Sequence, residues 1–151
     1  MAKRKSLKSD PCPVARSIDV VGDRWALLII RDAFDGMRRF GEFQKSLGVA
    51  KNILSTRLRD LVEAEILAVV PASDGSAYQE YVLTLKGKEL FSVVLCLRQW
   101  GEGHLFEKGE TCAPMVERDS GKPVPKIKLH TCDGKPLKPE DTMIKKKANA
   151  H

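Results

Sequence analysis

The stretch GVAKNILSTRLRDLVE, Gly48 to Glu63, decides how the rest of the chain is read. At helical spacing Leu54, Leu58, Leu61 and Val62 fall on one side of it, an apolar stripe that has to dock on a core. Asn52, Ser55, Thr56 and Arg59 fall on the opposite side. A helix face that meets only water is usually furnished with Glu and Lys, which favour helix. This one carries groups that hydrogen-bond in two directions. Asn fits the N6 and N7 edge of adenine, Arg fits the two acceptors of guanine, and Ser or Thr reaches bases or phosphates. Glutamate, which phosphate would repel, appears only at Glu63, near the far end. The residue types suit a helix entering a DNA groove; the plainer reading is a solvated face in a helical bundle.

Upstream, Phe40, Phe43 and Leu47 space a helix closed by Gly48, so the stretch is the second half of a helix-turn-helix. Before it, Asp23 can cap a helix from Arg24 to about Asp35, ended by Gly36. Its "WALLII" is apolar all round, which predicts a central position. Asp10 as N-cap with Pro11 at the first helical position predicts an earlier helix, with Val14, Ile18 and Val21 on its inner face. Downstream the period changes. Ile66 to Val70 reads as a strand stopped by Pro71, Ala72 to Ala77 as a turn, and Tyr78 to Thr84 as a second strand. One long helix from Thr84 to about Phe106 follows, with Leu90, Val93, Val94, Leu97 and Trp100 at helical spacing. The fold class expected is mainly α with a small β-hairpin: a winged helix-turn-helix with a short, β-turn-rich C-terminal extension.

The expected organisation is a basic arm over 1–9, the winged domain over 10–108, a Gly-, Pro- and Lys-rich module over 109–144, and a disordered tail over 145–151. The module holds a small repeat, "DSGKPV" at 119–124 and "CDGKPL" at 132–137, each half a turn between short extended pieces. Hydrophobic content of 42% and charged content of 30% are globular values. The net charge of +6 favours polyanionic partners. It gathers where the helix-turn-helix lies: residues 31–60 carry seven basic and four acidic side chains, residues 61–90 two and five. Lys3, Arg4, Lys5 and Lys8 add to it at the N-terminus. No apolar run spans a bilayer and no signal-peptide core follows the basic start, so a cytoplasmic protein is expected. Cys12, Cys96, Cys112 and Cys132 show no CxxC spacing and are expected as free thiols.

The segments "CPVARSIDVVGDRWALLIIRDAFDGMRRFGEFQKSLGVAKNILSTRLRDLVEAEI" and "YVLTLKGKEL" resemble the HxlR-type, MarR-like family of bacterial winged helix-turn-helix transcription regulators. The resemblance rests on the order and spacing of Cys12-Pro13, Gly22 with Trp25, and Gly36 with Arg38-Arg39-Phe40 and Phe43. Leu54-Ser55 with Arg57-Leu58 and Leu61, and Leu83-Thr84 with Gly87, complete it. It covers residues 10–106 and implies dimers that bind operator DNA in response to a chemical signal, with a small-molecule effector among the candidates. A two-fold homodimer sets its two recognition helices about one turn apart on double-stranded DNA and so requires a near-palindromic site. By position, Asn52, Ser55, Thr56 and Arg59 would read bases or backbone, while Lys51, Arg38 and Arg39 would clamp phosphates. Arg57, nearer the flank, would pair with an acid such as Asp60 or Asp32. The chain departs from its relatives in the wing, which holds Asp74 and Glu80 and no basic residue over 72–81. Minor-groove contact by the wing is therefore in doubt.

Cys12, in the first turn of a helix beside a basic arm, has the surroundings that favour a thiolate, and some such regulators sense oxidants or electrophiles there. Leu90, Val93, Val94, Leu97 and Trp100 exceed what one terminal helix needs and are the expected dimerisation stripe, with help from the first helix. His104, Cys112, His130 and Cys132 offer only His130-x-Cys132 as a close pair, and Ser120 stands where similar tails carry cysteine. No metal and no cofactor is expected. Two rival readings stand beside the regulator: a winged-helix protein-interaction module without DNA, and a thiol enzyme built on Cys12. No Cys-His or Ser-His-Asp constellation supports the enzyme, and no catalysis is expected.

Overall fold

Burial of one face of each helix organises the N-terminal part of this computed structural model, which describes residues 5–145. Helix α4 (Lys51–Glu63) sinks Leu54, Leu58 and Leu61 into the core, as the heptad-like spacing of its leucines dictates. They meet Ile29 and Ile30 of α2 (Arg24–Phe34) and Phe43 of α3 (Phe40–Leu47), all fully buried. Each such side chain contributes roughly 1.5–3 kcal/mol relative to exposure. Asp23 caps α2 through its carboxylate, which accepts the N–H groups of Trp25 and Ala26.

The wing follows as β1 (Leu67–Pro71) and β2 (Gln79–Leu83), antiparallel, with Leu67 opposite Leu83 and Pro71 opposite Gln79. Both strands are within a residue of the span the sequence suggests. Tyr81 N–H also bonds the Arg38 carbonyl at 2.7 Å, so β2 is stitched to the turn before α3.

Three expectations are corrected. Helix α1 (Pro13–Val21) begins two residues later than expected, with Cys12 rather than Asp10 as N-cap, because the Asp10 carboxylate closes a local turn on the Cys12 N–H at 2.8 Å. Of its expected inner face only Val21, in the last turn, is buried; Val14 is 67% and Ile18 55% exposed, since only the C-terminal end of α1 reaches the core. The long helix is also broken, into α5 (Leu85–Lys88) and α6 (Phe91–His104). At the break Leu90 N–H bonds the Gly87 carbonyl three residues back instead of continuing the four-residue ladder.

The chain divides into two compact units, Met1–Leu95 and Cys96–His151, the division lying inside α6, ahead of the composition break at Gly109. In the second unit each repeat half forms a turn with a left-handed glycine, Gly121 and Gly134. The turns are flanked by single bridges, Val116 with Pro123 and His130 with Pro136. Gln99 of α6 uses its side-chain amide like a short strand: Nε2 donates to the Pro125 carbonyl at 3.0 Å and Oε1 accepts the Ile127 N–H at 2.8 Å. A 3-10 turn, Pro139–Asp141, follows. Lys3 and Arg4 of the basic arm, and the expected disordered tail beyond Lys145, lie outside the described residues.

Candidate nucleic-acid interface

Helices α3 and α4 are joined by the three residues Gly48, Val49 and Ala50. Gly48 takes a left-handed conformation (φ 61°) that closes α3 with an N–H bond to the Gln44 carbonyl, and Val49 plugs the core. Ala50 then opens α4 without any side-chain cap, leaving the first N–H groups of the helix free of intrachain caps. On the face away from the leucines, Lys51, Asn52, Ser55 and Arg59 are exposed. Thr56 is half-buried and turns its hydroxyl back onto the Asn52 carbonyl at 2.9 Å, so its donor is already engaged. Arg59 makes only loose, exposed ion pairs, 3.6 Å to Asp60 and 4.0 Å to Glu63, which hold it weakly. The expected readers therefore share one accessible face, with Thr56 on its margin.

Arg38 and Arg39 have acquired partners that the sequence reading missed. The Glu80 carboxylate, 4% exposed, accepts Arg38 Nε at 3.1 Å and Arg39 Nε at 3.4 Å, and also the Ser73 N–H at 3.1 Å. Arg39 Nη2 reaches Asp74 in the turn at 2.6 Å, with the guanidinium 5.4 Å from the centre of the Tyr78 ring. The two acids that made the wing look hostile to DNA are thus neutralised by arginines delivered from the start of α3. The Ser76 N–H and the Arg39 guanidinium hold the Asp74 carboxyl well below the usual range. The Ser73 N–H lowers Glu80 against the opposing effect of burial, with both arginines adding to it. Asp74 in turn pushes the Arg39 guanidinium up. The strand alternation gave no warning of it: Tyr81 and Leu83 are the β2 residues that pack on the core, and Glu80, of the opposite register, is buried only beneath the arginines and Ser73.

Arg57 pairs with neither expected acid. Its Nε lies 2.8 Å from Asp23, the cap of α2, so it ties α4 to α2; Asp32, buried, takes Arg31 at 2.7 Å instead. Burial raises Asp23, but the Arg57 hydrogen bond and the capped N–H groups outweigh it and lower its carboxyl overall. Cys12 is exposed at the N-cap of α1, like the other three cysteines a free thiol. Among the described residues no group of three or more His, Cys, Asp or Glu converges to hold a metal. Of the expected dimerisation stripe, Leu90 and Val94 pack on the core, while Val93, Leu97 and Trp100 are exposed. Among the described residues no helix is long and apolar enough to cross a membrane.

Residues 20–109 match the HxlR-like helix-turn-helix family. The HTH-type transcriptional regulator Rv3095 of Mycobacterium tuberculosis is 41% identical over 119 residues, 79% of this chain and 68% of the relative. The crystal structure of PA1607, a proposed transcription factor, superposes with a TM-score of 0.89 at 54% identity, covering 93% of this chain and 99% of that one. The redox regulator HypR in its reduced form superposes with a TM-score of 0.58 at 29% identity, covering 62% and 94%. With its exposed recognition helix and paired wing, the chain belongs to the HxlR-like helix-turn-helix family and is a winged-helix, DNA-binding transcription regulator.

Proposed function

We infer that the protein acts in the cytoplasm as a two-fold dimer that recognises a near-palindromic operator, each protomer laying α4 in the major groove. The observation that carries this reading is the exposed polar face of α4, free of packing while the opposite face is buried. Asn52, Ser55 and Arg59 read base edges, Thr56 supports them at the margin, and Lys51 contacts phosphate beside the uncapped helix start. Arg38 and Arg39 hold the wing through Nε and turn remaining guanidinium N–H groups to the backbone of the duplex. A dimer would place the two α4 helices about one DNA turn apart. Its interface draws on the exposed Val93, Leu97 and Trp100 of α6.

Selection of bound sites from random duplexes tests the reading directly. On the selected site, Asn52→Ala and Arg59→Ala should each cost about 1–3 kcal/mol and relax sequence preference, whereas Lys51→Ala weakens all sequences alike. Equal losses on selected and random duplexes for all three would remove base reading by α4. Redox response is a further part of the proposal, supported by the likeness to HypR and by the exposed Cys12 at a helix N-cap. A thiol probe should label Cys12 before Cys96, and the opposite order removes it.

A further inference from the structure

We propose that the two acids of the wing act on duplex binding in opposite senses: Glu80 holds Arg38 and Arg39 ready for phosphate, while Asp74 occupies Arg39 until a phosphate displaces it. The inference rests on the reading that these arginines contact the duplex backbone, and adds what governs their availability. The two carboxylates differ in exposure and in the nitrogens they take. Glu80 is 4% exposed and each of its oxygens accepts two bonds. Its Oε1 takes Arg38 Nε and the Ser73 N–H, both at 3.1 Å, and its Oε2 takes Arg39 Nε and the Ser73 hydroxyl, both at 3.4 Å. A phosphate arriving from solvent does not reach so enclosed a carboxylate. Because Glu80 uses only the two Nε positions, the Nη donors of both arginines remain for other acceptors.

Asp74 is the contrasting case. Its side chain is 55% exposed, at the turn of the wing, and its Oδ2 takes Arg39 Nη2 at 2.6 Å. An anionic oxygen open to water at this distance offers a guanidinium what a phosphate oxygen offers, so the two compete for the same donor. The Tyr78 ring, 5.4 Å from Arg39, keeps its attraction for the cation whichever anion takes the N–H groups. Arg38 is under no such control: among the described residues its Nη groups have no partner. Duplex binding therefore breaks one exposed ion pair in each protomer, which lowers affinity about two- to fivefold. Net charge alone predicts something else, namely that loss of either acid strengthens binding to a polyanion.

The test measures the affinity of the full chain for the selected site and for a random-sequence duplex by fluorescence anisotropy. Asp74→Asn suits it, because the amide keeps an oxygen for the Ser76 N–H, held at 2.9 Å by Oδ1, and replaces Oδ2 with a group that accepts nothing from Arg39. Asp74→Asn should tighten binding to both duplexes about two- to fivefold for each protomer. Glu80→Gln, shown to be folded by circular dichroism at the assay temperature, should weaken both at least about threefold. Arg39→Gln should weaken binding and abolish the gain from Asp74→Asn, a cycle that does not depend on the Glu80 variant. Strengthening by Glu80→Gln overturns the opposed roles. A gain from Asp74→Asn that persists beside Arg39→Gln overturns the competition, since Asp74 then merely repels phosphate. If Arg39→Gln weakens binding while Asp74→Asn changes nothing, the phosphate contact stands and only the competition falls. If Arg39→Gln leaves affinity unchanged, the contact itself falls and takes the competition with it.

Discussion

Opposite Val70 in β2 stands a buried carboxylate, Glu80, that the arginines ahead of α3 and the N–H and hydroxyl of Ser73 make tolerable there. Its value lies in joining three segments at one point: α3, the wing turn and β2. Glu80→Gln keeps the shape but removes the charge, so Arg38 loses its anion, Arg39 keeps only Asp74, and Tm should fall. The pH dependence follows from the lowered carboxyls of Glu80 and Asp74. A group whose folded pKa lies below its unfolded one stabilises above the unfolded value, about 4, and loses that contribution as pH falls toward the folded value. Tm should therefore be flat near neutrality and drop below about pH 4, with a shallower drop in the double variant Glu80→Gln, Asp74→Asn. An acid limb of unchanged slope in that variant would show that the clasp does not govern it.

Helix α4 ends in a Schellman motif: Ile66 N–H bonds the Leu61 carbonyl and Glu65 N–H the Val62 carbonyl. The left-handed position is filled by Glu65, at φ 62°, where glycine has no steric penalty. Glu65→Gly should raise stability by about 1 kcal/mol, read from denaturant midpoints, less whatever the freer unfolded chain takes back. Gly87 is the reverse case. It nests against the start of β1, where an added Cβ would collide with the Ile66 carbonyl oxygen, and its N–H is held by the Thr84 hydroxyl at 3.0 Å. Gly87→Ala should destabilise by roughly 1–3 kcal/mol and loosen the α5–β1 contact. The same glycine lies at the helix break, where its carbonyl accepts the Leu90 N–H between α5 and α6.

For the whole molecule the exposed apolar surface is the deciding feature. Trp100 is 58% exposed in the second unit, and Val14 and Ile18 project from α1 in the first. Exposed side chains of this size in separate places are what a second copy would cover. Trp100→Glu should shift the protein toward monomer in sedimentation and weaken operator binding much more than half-site binding. A variant that remains dimeric would place the interface elsewhere. Binding should also weaken steeply with salt, because the positive charge of residues 31–60 displaces counterions from the duplex.

What the sequence by itself determined is the local chemistry. The leucine spacing of α4, the Phe40–Phe43–Leu47 spacing with Gly48, and the turn between two β-rich runs each announce an element from within a few residues, because side-chain period and turn geometry are short-range properties. They were enough to place Asn52, Ser55 and Arg59 on one side of one helix. The tertiary structure decided the rest. Arg38 and Glu80 stand 42 residues apart, and Arg57 and Asp23 34 apart, so each arginine found its partner only once the fold had closed. Val14 and Ile18 have core-like spacing yet remain outside, since a periodic stripe states that a face must be covered and not what covers it.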